Sequence, residues 1–166
     1  MMRAMKRRLL FLSALLAPLL APFAARAQPG VDRPQPRLRE EALVIVARDG
    51  TRHEFRVEMA LDPAEQSVGM MFRTEMAPDE GMLFDWGAPR ESAMWMRNTL
   101  IPLDMVFIAA DGRVHRIHER ATPRSLATIA SRGPVRATLE LAGGTAERLG
   151  LRVGDRVLHP IFGTTP

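Results

Sequence analysis

Two short runs meet at Asp49-Gly50, and they restrict the fold more than any other feature of the chain. Residues 41–48 read EALVIVAR, rich in β-branched side chains. Residues 51–60 alternate, with Phe55, Val57 and Met59 on one side and Glu54, Arg56 and Glu58 on the other. A period of two is that of a strand with one face buried. Asp-Gly supplies the positive φ angles of a tight reversal. A half-solvated antiparallel hairpin is predicted. Asp111-Gly112 repeats the signal, joining residues 104–110 to 113–119.

Between the hairpins, Asp62-Pro63-Ala64-Glu65 has the form of a helix start. Asp62 is placed to cap, Pro63 to occupy the first helical position, and Glu65 to close a capping box. Ala64, Val68, Met71 and Phe72 fall on one helical stripe and are expected to be buried. Gly69 lies off that stripe, where either another chain segment passes close or the helix is about to end. Residues 82–86 read as a short strand and 87–92 as a loop. Residues 120–133 read as a long surface loop, 135–141 as a half-buried strand, 145–149 as one helical turn ended by Gly150, and 156–162 as a last strand. The sum is a mainly β domain, a β-sandwich or partly open β-barrel, mostly antiparallel, with one or two short helices.

Residues 1–27 are set apart from this pattern. Arg3, Lys6, Arg7 and Arg8 precede an apolar run broken by Pro18 and Pro22, and Ala25-Arg26-Ala27 has the form of a cleavage site. That is a Sec-type signal peptide, cut after Ala27, which places the mature protein in the periplasm or outside the cell without a membrane anchor. Residues 28–40 are rich in proline and arginine and are expected to form a disordered lead-in. Residues 41–166 then form a single β-rich domain.

The leader distorts the charge. The full chain has 23 basic and 19 acidic residues. Removing the five leader bases (Arg3, Lys6, Arg7, Arg8, Arg26) leaves 18 against 19, a net charge of −1. A basic footprint for nucleic acid is therefore absent, and no nucleic-acid partner is expected. There is no cysteine. An exported fold of this kind rests on packing rather than on disulfides.

The most unusual stretch is residues 93–108, AMWMRNTLIPLDMVFI. Arg97, Asn98, Thr99 and Asp104 form a polar knot inside an apolar run, read as two strands joined by a rigid turn. Gly69-Met70-Met71-Phe72-Arg73, Gly81-Met82-Leu83-Phe84, the block from Met94 to Asp104, Leu139-Glu140-Leu141 and Gly154-Asp155 follow in order. Together, over about residues 45–162, they resemble the domain of unknown function 192 family. Arg97 stands where lysine is common in that family. The resemblance implies a compact β-rich domain, often exported in bacteria. It implies no activity, and no residue roles follow from it.

Several chemistries are open on the residues themselves. A Ser–His–acid triad finds no G-x-S-x-G setting, and cysteine nucleophiles are absent. His115-x-x-His118 places its rings on opposite faces of a strand, poor geometry for one metal. Asp104 with Glu58 or Glu140 offers paired carboxylates, so a cofactor-independent envelope enzyme using Asp104 and Glu140 as acid and base is one alternative. Eight methionines lie between Met59 and Met105. Thioethers suit Cu(I), and Met94 with Met96 is a second alternative, though methionine also fills irregular cores.

The reading preferred over both is a non-catalytic ligand-binding or accessory module without a cofactor. Its candidate patch is Trp95, Arg97, Asn98, Thr99, Asp104 and Arg73, and its partner a small molecule, a glycan or an envelope protein. The strand pleat poses a choice. Either Met94 and Met96 meet solvent or Trp95 and Arg97 do. The usual burial of tryptophan favours an indole packed between sheet and helix, and an architectural knot, over an exposed stacking platform. Asp104, entering an apolar strand, requires Arg73, Arg97 or backbone N–H partners.

Overall fold

The computed structural model describes residues 32–166, so the expected leader and the first four residues after it lie outside the described residues. The first hairpin forms as expected. β1 (Glu40–Val46) pairs antiparallel with β2 (Arg52–Ala60) around Gly50, whose φ is 87°. The second pairs β4 (Leu103–Ile108) with β5 (Val114–Ala121) around Gly112. At Gly112 a Cβ would stand 2.8 Å from the Val157 carbonyl oxygen, and φ is 79°, so only glycine fits.

The helix α1 (Pro63–Val68) starts with the predicted capping box. Asp62 Oδ1 accepts from the Ala64 and Glu65 amides, and the Glu65 carboxylate accepts from the Asp62 amide. It ends sooner than the apolar spacing suggested. Gly69 caps it with φ 48°, and a Cβ there would meet the Phe84 ring at 2.9 Å. The stripe is therefore corrected: Ala64 is exposed, and Met71 is buried from beyond the helix. Six residues is too short for a stable face, so the capping box and the glycine stop define α1 more than its periodicity does.

Two further expectations fail in the same way. Residues 82–86 and 93–94 belong to one long strand, β3 (Glu80–Met94), and the loop expected at 87–92 is a bulged part of it, exposed from Gly87 to Glu91 and buried at Ser92. The long loop expected at 120–133 shortens to residues 122–128, because β5 runs to Ala121 and β6 spans Ile129–Ala142. Arg132 (φ 59°) and Gly133 (φ 154°) interrupt its alternation, and Gly87 and Pro89 interrupt that of β3. Bulges of this kind hide a strand from a period-two reading. The chain closes with α2 (Thr145–Leu149), a short β7 (Arg156–Leu158) and a 3₁₀ turn over Pro160–Phe162, where a longer strand was expected.

The seven strands form one mixed sheet in the order β5-β4-β6-β3-β2-β1-β7. Only β2–β3 is parallel. The sheet curls into a half-barrel, and its edge strands touch at one end through an Arg113–Arg156 bridge. The Val114 amide donates to the Asp155 carbonyl there at 2.9 Å.

Both faces are buried. The first packs Leu43, Ile45, Phe55, Val57, Leu83, Val106, Leu139 and Leu141 with Ala146, Val157 and Phe162. The second packs Met82, Phe84, Leu103, Met105 and Phe107 with Met70, Met94, Met96 and Ile129. Every residue of β4 is buried, as its nearly unbroken apolar sequence requires.

Candidate functional site

Three chain segments cover the second face, and backbone hydrogen bonds stitch them together. After β3 the chain passes through Trp95 and Met96 into a turn at Asn98, whose φ of 56° suits asparagine. The Met96 amide donates to the Ser125 carbonyl at 3.0 Å, and the Arg124 amide to that of Thr99 at 3.1 Å. The Phe72 amide donates to the Asn98 carbonyl at 2.9 Å. Thr99 is buried, its hydroxyl 3.4 Å from the Arg97 carbonyl, and the Asn98 side-chain amide lies 3.8 Å from Met71 Sδ. The knot is rigid.

Within it, Met94 and Met96 both point into the methionine-rich layer. Alternation then turns Trp95 outward. It is 47% exposed, and the Arg97 guanidinium carbon lies 5.4 Å from its ring centroid. The preference for a buried indole is corrected: two thioethers on alternate positions claim the interior, and the larger ring is displaced to the surface. Leu126 is 69% exposed on the segment that pairs with Met96. Arg97 and Arg124 are exposed as well, and neither forms an ion pair among the described residues. The indole and the Arg97 guanidinium form one exposed pair, and Leu126 and Arg124 are exposed on the segment hydrogen-bonded to it.

Asp104 does not join it. Leu103 and Met105 occupy the second face, so Asp104 projects to the first. There it is wholly buried and accepts from the Arg120 amide at 2.7 Å, the Gly144 amide at 3.0 Å and the Ala146 amide at 2.7 Å. Of the partners open to it, backbone N–H groups satisfy it and Arg73 and Arg97 do not. Its carboxylate fastens the start of α2 to the sheet. Asp104 stands opposite Leu141 and Met105 opposite Glu140, so Asp104 and Glu140 face opposite sides of the sheet. They cannot share a substrate.

Arg73 is committed elsewhere. Its guanidinium donates to Glu58 Oε2 at 2.9 Å, with the two side chains 10% and 3% exposed. Arg37 donates to Glu58 Oε1 and the Leu38 amide to Oε2, each at 2.8 Å. The alternation of β2 had sent Glu58 to water. In the fold, residues 37–38 lie across it, and Gln35 Nε2 reaches the Gly69 carbonyl at 3.0 Å. Residues 35–39 of the expected lead-in thus make specific contacts with the domain. Only the surplus of arginines before β1 hinted at a buried acid waiting for them.

A second arrangement had no sequence signal at all. Register places Glu58, Met82, Glu140, Met105 and His118 side by side across five strands. Glu140 is 4% exposed, and its Oε2 has no hydrogen-bond partner. Burial pushes its carboxyl up to about 8, which leaves it mostly protonated at neutral pH. His118, half-buried on the edge strand, is shifted down, first by burial and then by the nearby Arg116. Separately, a groove of about 420 Å³ runs between Arg120, Glu147 and Arg148 beside α2, among residues not singled out from the sequence. No group of three or more His, Asp or Glu side chains suited to a metal occurs among the described residues.

The model of the DUF192 family, described as "Uncharacterized ACR", matches residues 44–159. No curated protein matches the chain. A crystal structure from Sinorhizobium meliloti 1021, provisionally described as a transcription regulator, is 46% identical with a TM-score of 0.75, over 76% of this chain and 98% of its own. A crystal structure of a protein of unknown function from Novosphingobium aromaticivorans DSM 12444 is 42% identical with a TM-score of 0.72, over 81% of this chain and 94% of its own.

Proposed function

The chain belongs to the DUF192 family, and within that frame we propose that it is an exported, non-catalytic binding module of the cell envelope. The observation that carries this reading is the exposed Trp95–Arg97 pair on a backbone held by hydrogen bonds on both sides. A large aromatic surface that is ordered before binding loses little conformational entropy when a ligand stacks on it. The ring suits a sugar face or another planar group, and Arg97 with Arg124 favours a ligand that carries negative charge.

Catalysis has less support. Asp104 has its oxygens occupied by amides, and Glu140 lies on the other face. The regulator description of the Sinorhizobium protein finds no electrostatic counterpart here, since the expected mature chain carries −1.

The test is ligand capture with the mature chain on panels of neutral and acidic glycans and aromatic small molecules, with Trp95→Ala as control. A retained ligand whose affinity falls at least tenfold in Trp95→Ala supports the reading. No retained ligand, or equal retention by both proteins, overturns it. Export is checked independently by cell fractionation and the N-terminal mass. A cytoplasmic protein that keeps residues 1–27 would remove that part of the proposal.

A further inference from the structure

Glu140 sets the problem. It is the central member of a row on the second face, and its register neighbours are Met82 on β3 and Met105 on β4. Both methionines are wholly buried. Adjacent strands lie about 4.8 Å apart, so the two thioethers flank the carboxyl from either side. Methionine's three rotatable bonds let either sulfur turn toward the carboxyl. Glu140 Oε2 is buried and accepts nothing from the protein. Its counterpart in the row, Glu58, is fully engaged by Arg37, Arg73 and the Leu38 amide. The contrast is within one fold: one buried carboxylate has its cations built in, and the other has none.

We infer that Met82, Met105 and Glu140 form a site for a soft monovalent cation, Cu(I) by its chemistry. The donor set decides the class. Two thioethers are soft ligands that select Cu(I) over zinc, magnesium or calcium. Hard divalent ions need six or more oxygens in place, and between Met82 and Met105 the row supplies one carboxyl. Cu(I) would displace the proton of the Glu140 carboxyl to solvent, so the single positive charge held by two neutral sulfurs is balanced by one carboxylate and the buried site is neutral both empty and filled. That also accounts for an acid placed without a partner among hydrocarbons and thioethers. The imidazole of His118, next in the row beyond Met105 and half-buried at the sheet edge, offers a ligand at the entrance. These are not the methionines expected from the sequence. Met94 stands opposite Ile129, far along β3 from Met82, and Met96 lies beyond the strand.

The site is tested by anaerobic titration of the mature chain with Cu(I) against a chromogenic Cu(I) chelator, with Ag(I) as a redox-inert check. One equivalent is expected to bind. Met82→Leu and Met105→Leu should each weaken binding at least tenfold, and the double variant should abolish it. Leucine conserves volume, so retention of the fold is verified by circular dichroism and melting. Glu140→Gln should weaken binding at least tenfold, whereas Met94→Leu and Trp95→Ala should match the parent. Sulfur scattering in the copper X-ray absorption spectrum of the parent, lost in the double variant, is the direct signature. No stoichiometric binding, full binding by the double variant, or full binding by Glu140→Gln overturns the inference.

Discussion

Arg73 and Glu58 form an ion pair at 2.9 Å that is almost closed to water. It joins the segment after α1 to β2, one residue beyond the Phe72 amide that donates to the Asn98 carbonyl. Breaking such a pair leaves a buried charge uncompensated, at a cost of about 3 kcal/mol. Arg73→Ala should therefore lower the urea midpoint sharply. Arg37 contacts the same carboxylate but its side chain is 54% exposed. Arg37→Ala should cost less than about 1 kcal/mol. Equal effects of the two substitutions would show that Glu58 is solvated in solution.

Asp104 and Asn98 separate architecture from surface. Asp104→Ala strands the buried amide of Ala146 and the part-buried amides of Arg120 and Gly144, and should cost several kcal/mol, about 1–3 for each unsatisfied group. Loss of the cooperative melt is the expected result. Asn98 contributes mainly its left-handed backbone, so Asn98→Gly should change stability by less than about 0.5 kcal/mol, whereas Asn98→Ala should cost about 1 kcal/mol.

Trp95 and Met96 are neighbours with opposite fates. Met96→Ala empties a fully buried position and should cost about 2–5 kcal/mol. Trp95→Ala removes a half-exposed ring and should cost less than about 1 kcal/mol, while it removes the proposed ligand contact. Thermal melts of both variants beside the binding assay check the pair.

Glu140 should leave a signature in the pH dependence of stability. Its folded pKa of about 8 lies above its ordinary value of 4.5, so the folded state holds a proton that the unfolded state releases between those values. Stability from this group is complete below pH 4.5 and falls as pH rises through the window, by at most ~1.4 kcal/mol per unit. His118 and His159 are shifted down, chiefly by burial, and act with the opposite sign below about pH 6.5. Denaturation between pH 6.5 and 8, with a metal chelator present, therefore isolates Glu140. Glu140→Gln should flatten that slope and exceed the parent's stability at pH 9.

Much of the scaffold was legible because its signals are local. Asp49-Gly50 and Asp111-Gly112 specify hairpins, and Asp62 with Glu65 specifies a helix start, all within five residues. What was missed depends on contacts between distant segments. The first half of β6 looked like a loop because Arg132 and Gly133 break its alternation, yet β3 pairs with it regardless. Glu58 looked solvent-facing because its cover comes from Arg37 and Arg73, 21 and 15 residues away. At the candidate patch, the pleat correctly posed the choice between Met94/Met96 and Trp95/Arg97. General tryptophan statistics then pointed to the wrong side, because they say nothing of which neighbour the core needs more.

The strand order also sets a timetable. β3 and β4 follow one another in the chain but never pair, and each finds its neighbour in β6. Until residues 129–142 are available, β1-β2-β3 and β4-β5 are two fragments with no seam between them. β7 joins later still, beside β1. Such long-range closure folds slowly, because distant segments must meet before any contact rewards them. A nascent chain of this topology stays open until it is nearly complete. For a protein we propose to be threaded across a membrane unfolded, that delay keeps it competent for transport.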